Sequence, residues 1–111
     1  MTLEAEDAKL VTLARATRTR ANAEQGAAIR DQDGRTYAAA SVELPSLRLS
    51  AVGGAIAMAV ASGAKSLEAV VVLGGDGVSE GDLAVVRDFT GAQIPIHIAD
   101  ERGSVTASLV S

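Results

Sequence analysis

The chain has 111 residues, 48% of them hydrophobic and 22% charged, a balance that sets one globular domain over residues 1–111 and excludes a disordered chain. A net charge of −4 and a pI of about 4.8 exclude sequence-independent nucleic-acid binding, which needs a basic surface. With no cysteine there is no disulfide, no thiolate zinc site and no cysteine nucleophile.

Aromatic residues make up only 2%, Tyr37 and Phe89, so the core must be built from Ala, Val, Leu and Ile. Small side chains bury less area per residue, and a second copy of the chain would add burial that one copy lacks. The preference for Arg over Lys and the many alanines are what a GC-rich bacterial genome encodes. Met1 is followed by an acidic, polar stretch and not by a signal peptide, which predicts a cytoplasmic protein. The uncharged run Leu49 to Ala64 is shorter than the ~20 residues that span a bilayer.

In chain order, Thr2 is expected to cap a first helix reaching about Thr17, with Leu3, Leu10 and Leu13 near one face. Glu4, Glu6 and Asp7 at its start and Arg15, Arg18 and Arg20 toward its end suit the helix dipole. Asn22 to Arg30 reads as a strand, Asp31 to Gly34 as a turn, and Arg35 to Val42 as the antiparallel return. Glu43 to Leu49, holding Pro45, reads as a loop. Ser50 opens a second helix that Gly63 ends. Leu67 to Leu73 is apolar on both faces, as buried parallel strands are. After a loop at Gly74 to Val78, Ser79 to Phe89 forms a third helix closed by Gly91. Ile94 to Ala99 is a further strand, and Ser104 to Val110 an edge strand. The helix between the last two buried strands makes that pair parallel. The expected fold is α/β, three layers (α/β/α) around a mixed sheet of four or five strands.

The second helix carries no charge anywhere on its circumference. A helix apolar all round is buried all round. Either the chain's own helices cover it or a second copy does, with Gly53, Gly54, Ala57 and Ala61 allowing close approach.

Two glycine patterns invite a phosphate reading. Gly63-Ala64-Lys65-Ser66 lacks the Gly-Lys pair of a P-loop and follows a helix where it should precede one. Gly75-x-Gly77-x-x-x-Gly81 does lie between a strand and a helix, with Asp100 after the next strand where a ribose carboxylate would stand. A dinucleotide fold normally begins with that unit, however, and too little chain follows it here. His97, the single histidine, is expected on a partly exposed edge strand and shows no nucleophile or metal partner in the sequence.

Several ordered pieces resemble the cytidine deaminase family. Gly26-Ala27-Ala28 resembles the V-G-A-A of its first strand, and Asp33-Gly34-Arg35-Thr36-Tyr37 its D-G-x-x-Y hairpin. Ser41-Val42-Glu43 stands where the family has N-V-E-N, and Ser50-Ala51-Val52 where it has C-A-E or H-A-E at a helix start. Ala55 to Gly63 follows the A-x-x-x-A-V-S-x-G helix. The resemblance implies a zinc enzyme with one Cys or His ligand at the first helix start, two Cys ligands at the second, and a proton-shuttling Glu. Carried across, the first ligand becomes Ser50, the Glu becomes Val52, and P-C-x-x-C becomes Val78-Ser79-Glu80-Gly81-Asp82. Only Asp82 has a ligating group, and a lone carboxylate makes no stable zinc site. Ser50 and Ser79 are instead good N-caps, and Ser79-x-x-Asp82 reads as a capping box. For the sugar, Glu43 survives, Asn becomes Ser41, the second Asn becomes Leu44 and a stacking aromatic becomes Ala23.

The sequence therefore reads as a cytidine-deaminase-like domain without zinc or catalysis, with a binding or structural role as a homo-oligomer, and with no cofactor, nucleic-acid or membrane partner. The first alternative is a nucleoside, nucleotide or small-anion sensor using Ser41 and Glu43 in the emptied pocket. The second is a dinucleotide-binding fragment through Gly75-x-Gly77. A hydrolase of another mechanism would need a nucleophile–base pair that the sequence does not display.

Overall fold

The computed structural model describes residues 3–111. Thr2, the expected first cap, lies outside them. Helix α1 (Ala5–Ala21) starts at Glu4, whose side chain makes no cap bond, and runs on past Thr17. It ends at Asn22, which takes the left-handed conformation (φ 53°) that Asn tolerates better than other side chains. That C-terminal turn consumes the start of the predicted strand, so β1 begins later (Gln25–Asp31). It pairs antiparallel with β2 (Thr36–Ala40) through the expected Asp-Gly turn, where Gly34 has φ 81°.

The predicted loop at Glu43 to Leu49 is instead a short hairpin, β3 (Val42–Leu44) and β4 (Leu47–Leu49), forming its own two-stranded sheet. Val42, Leu44, Leu47 and Leu49 alternate with Glu43 and Arg48 across a turn at Pro45-Ser46, a period-2 signal too short to stand out. Then follow α2 (Ala51–Ala61), β5 (Leu67–Gly74), α3 (Glu80–Thr90), β6 (Pro95–Ala99) and β7 (Val105–Val110).

The main sheet has the order β2-β1-β5-β6-β7. Its one parallel pair is β5 with β6, bridged by α3 as expected; every other neighbour is antiparallel. On one face α1 lays Leu10, Val11 and Ala14 over Ala28, Val71 and Leu73. On the other, Val52, Ala55 and Ile56 of α2 and Val86 of α3 cover Ile29, Val70, Val72 and Ile96. This is the three-layer α/β/α arrangement the sequence implies.

Within one chain the second helix is covered on one side: Ala51, Val52, Ala55, Ile56 and Ala59 are buried, while Met58 and Val60 remain 46% and 53% exposed. Of the two covers weighed for that side, no helix among the described residues supplies one. One expectation fails: His97 is not on an edge. β7 pairs outside β6, and α1 lies over the same face, so the imidazole is 9% exposed and bonded at both ring nitrogens, to Ser108 and to Asp7.

Small residues set how closely the layers approach. A Cβ on Gly26 would collide with the carbonyl oxygen of Ala14 and stand 2.8 Å from Arg18 Cβ. Gly26→Ala therefore forces α1 away from the sheet, and chemical denaturation should show a loss of about 1–3 kcal/mol, the usual cost of over-packing.

The β1–β2 turn is held by Asp31, which is fully buried. Its carboxylate accepts from the Tyr37 hydroxyl (2.8 Å), Arg35 N–H (3.0 Å) and Asp33 N–H (2.9 Å). Burial alone would push this carboxyl up; the Tyr37 hydroxyl and the two amides outweigh it and hold it below the ordinary value of 3.8. A depressed carboxylate stabilises the fold above its unfolded pKa, and that contribution is lost as pH falls through the native one. Tyr37→Phe removes one of the three donors. In an acid titration followed by circular dichroism, unfolding should begin at a higher pH than in the unsubstituted chain.

Candidate functional site

The starts of α2 and α3 open on one cavity of about 420 Å³, lined also by the end of β2 and by the β3–β4 hairpin. It gathers Ser41, Glu43, Ser50, Ser79 and Asp82, five of the six positions singled out from the sequence. The sixth, Val52, is completely buried in the core beneath α2.

Both helix starts are closed from within the chain. Ser50 sits in extended conformation and its Oγ accepts Gly53 N–H at 2.9 Å. Ser79 Oγ accepts Asp82 N–H at 3.0 Å, and Asp82 Oδ2 accepts Ser79 N–H at 3.3 Å, the reciprocal pair of a capping box. A helix start leaves N–H groups without intrahelical partners, and these side chains satisfy part of that set. Asp82 is nearly buried and its carboxylate is engaged in the cap.

Ser41 is engaged too. Its Oγ accepts Gln25 N–H at 3.1 Å, while its own N–H donates to Gln25 O at 3.0 Å. Gln25 also donates through Nε2 to the carbonyls of Gly77 (2.6 Å) and Gly74 (3.2 Å), fastening the glycine loop before α3 to the start of β1. Gly75 takes φ 58° there, and a Cβ on it would come within 2.6 Å of Gln25 Cγ. Sequence reasoning missed Gln25, because a polar residue at a strand start carries no periodic signal. It also missed Arg48, which lines the cavity from β4 and faces Glu43 across the hairpin. Recognising the hairpin alternation would have found it.

A zinc ion does not fit these residues. Thiolate, imidazole or several carboxylates must converge on it. Ser50, Ser79 and Asp82 offer two hydroxyls and one carboxylate, all engaged in caps, and Val52 offers no lone pair. Among the described residues no three His, Cys, Asp or Glu side chains are grouped to hold a metal.

The glycine pattern Gly75-x-Gly77 does meet Asp100, at a second cavity of about 550 Å³ beyond the ends of β5 and β6. The chemistry is not that of a dinucleotide seat. Asp100 Oδ1 accepts the N–H groups of Arg102 (2.9 Å) and Ser104 (3.0 Å), which closes its own turn. The helix start that should receive a pyrophosphate is filled by the capping box, and Asp76, Asp100 and Glu101 line the same space. Among the described residues no helix is long and apolar enough to cross a membrane.

Comparison with known proteins places this arrangement. The family model for cytidine deaminase-like proteins matches residues 3–103. Among solved structures, cytidine deaminase from Burkholderia pseudomallei superposes with a TM-score of 0.81 at 23% identity, covering 92% of this chain and 90% of that one. Cytidine deaminase from Mycobacterium leprae gives 0.77 at 22% identity, over 96% and 94%. The enzyme from Mycobacterium tuberculosis gives 0.73 at 22%, over 84% and 85%. A search of curated proteins gave no match. At these identities the superpositions establish a shared fold, and the family model, which spans nearly the whole chain, establishes the kinship: this protein belongs to the cytidine deaminase-like family.

Proposed function

We propose that this chain is a zinc-free, non-deaminating member of its family with a binding or structural role, acting as a cytoplasmic homo-oligomer. One observation carries the reading. The two helix starts that would present metal ligands close on their own hydroxyls and on Asp82, and the position of the proton-shuttling Glu is Val52, sealed in the core. Deamination of cytidine needs an activated water and a proton carrier. At the positions that the resemblance assigns to these roles stand Ser50, Ser79, Asp82 and Val52.

Exposed apolar surface supports the oligomer. Leu44, Leu47 and Leu49 on the hairpin and Met58 and Val60 on α2 are all more than a third exposed. Large apolar side chains left exposed in such number on a small domain suit an interaction surface. A second reading, a nucleoside or small-anion site in the 420 Å³ cavity, is favoured by Arg48, which adds a cation beside Ser41 and Glu43.

Protein purified from zinc-supplemented cells should carry far less than one zinc per chain by elemental analysis and release no ammonia from cytidine. Stoichiometric zinc or measurable turnover would refute the proposal. Ser79→Ala should lower stability by about 1 kcal/mol, the usual worth of a cap, and the melting temperature by roughly 4 °C. Light scattering should give an oligomer that Val60→Asp dissociates; a monomeric unsubstituted chain removes that part of the reading. A melting shift with phosphate or cytidine, lost in Arg48→Ala, would select the sensor over the scaffold.

A further inference from the structure

On the face of the sheet covered by α1, away from the capped helix starts, three side chains distant in sequence are joined. The β6–β7 register sets His97 directly opposite Ser108, and Ser108 Oγ lies 2.7 Å from His97 Nδ1. Asp7, in the first turn of α1, reaches the other ring nitrogen: Asp7 Oδ2 to His97 Nε2 is 3.0 Å. We infer that Ser108, His97 and Asp7 form a serine nucleophile, its general base and the carboxylate that positions the base, able to take an acyl group from a small carboxylic ester.

The chemistry of the partners decides the imidazole's tautomer. A carboxylate only accepts hydrogen bonds, so in the neutral ring the hydrogen belongs on Nε2, facing Asp7. Nδ1 then presents its lone pair to the Ser108 hydroxyl, which is the arrangement a general base needs. Asp7 is held by more than the imidazole. Its Oδ1 lies 2.9 Å from Arg30 Nη1, and Arg30 Nε donates to Glu68 Oε1 at 2.9 Å. Ser108 of β7 and Asp7 of α1 thus face the imidazole directly, and Arg30 of β1 and Glu68 of β5 stand behind Asp7 in the same network. Burial is graded in the useful direction: the base is 9% exposed while Ser108 is exposed on the outer strand.

The step balances without a further reagent. Ser108 Oγ bonds to the acyl carbon as its proton passes to His97 Nδ1. The ester C–O bond breaks, and the leaving alcohol takes that proton. Water then cleaves the acyl-serine, giving the carboxylic acid and restoring the hydroxyl. Ser108 stands exposed on an outer strand, which suits small or extended esters that reach it from solvent.

Labelling with a fluorophosphonate, read by intact mass and peptide mapping, tests this independently of zinc or cytidine. One adduct per chain is expected, at Ser108, formed far faster than at any other serine. Ser108→Ala should abolish it, and His97→Gln should slow it roughly 100-fold or more, the usual worth of a general base. Asp7→Asn should slow labelling in protein whose melting curve shows it folded. Should His97→Gln not fold, the comparison of Ser108 with the other serines of the unsubstituted chain decides. An unlabelled Ser108, labelling spread over several serines, or a rate indifferent to His97→Gln in folded protein overturns the inference.

Discussion

Two helices begin beside one cavity, and each leaves backbone N–H groups that no intrahelical carbonyl can reach. Here they are met by short oxygen-bearing side chains, Ser50 for α2 and the Ser79–Asp82 pair for α3. Two hydroxyls and one carboxylate are also a poor donor set for zinc, which calls for thiolate, imidazole or several carboxylates converging on it. The rest of the site follows from that commitment. Gln25 ties the glycine loop to β1, Ser41 is bonded to the backbone of Gln25, and Val52 turns into the core. The fold is the family's, and Ser50, Val52, Ser79 and Asp82 stand where the resemblance would place the ligands and the proton carrier.

The two faces of the sheet have different characters. The side under α2 and α3 is apolar, and its outermost layer stays uncovered in a single chain at Met58 and Val60. The side under α1 mixes an aliphatic core with a charged network, in which Arg30 bridges Asp7 and Glu68 and His97 joins Asp7 to Ser108. Partly buried charges of this kind are costly unless paired, and every partner here comes from a different element. The network therefore fixes the rotation of α1 on the sheet as well as gathering reactive groups.

Close approach makes that rotation possible. Gly26 lets α1 settle onto β1, and an alanine-rich core keeps the layers near one another. With only Tyr37 and Phe89 as aromatics, packing depends on many small contacts, so single added carbons are felt strongly.

By itself the sequence determined what local patterns carry. Asp33-Gly34 made a hairpin turn, the two-faced apolar run at Leu67 to Leu73 a central strand, and Ser79-x-x-Asp82 a capping box. Each rests on residues within a few positions of one another. Only the tertiary structure decided the rest. The hairpin at Val42 to Leu49 was hidden because its alternation lasts three residues a side. The uncovered face of α2 depends on which other helices reach it. The surroundings of His97 depend on β7 adding outside β6 and on α1 crossing above, which brings together residues 90 and 11 positions apart. No local pattern encodes such a meeting, because it is made by sheet register and helix docking, and those are settled by burial summed over the whole core.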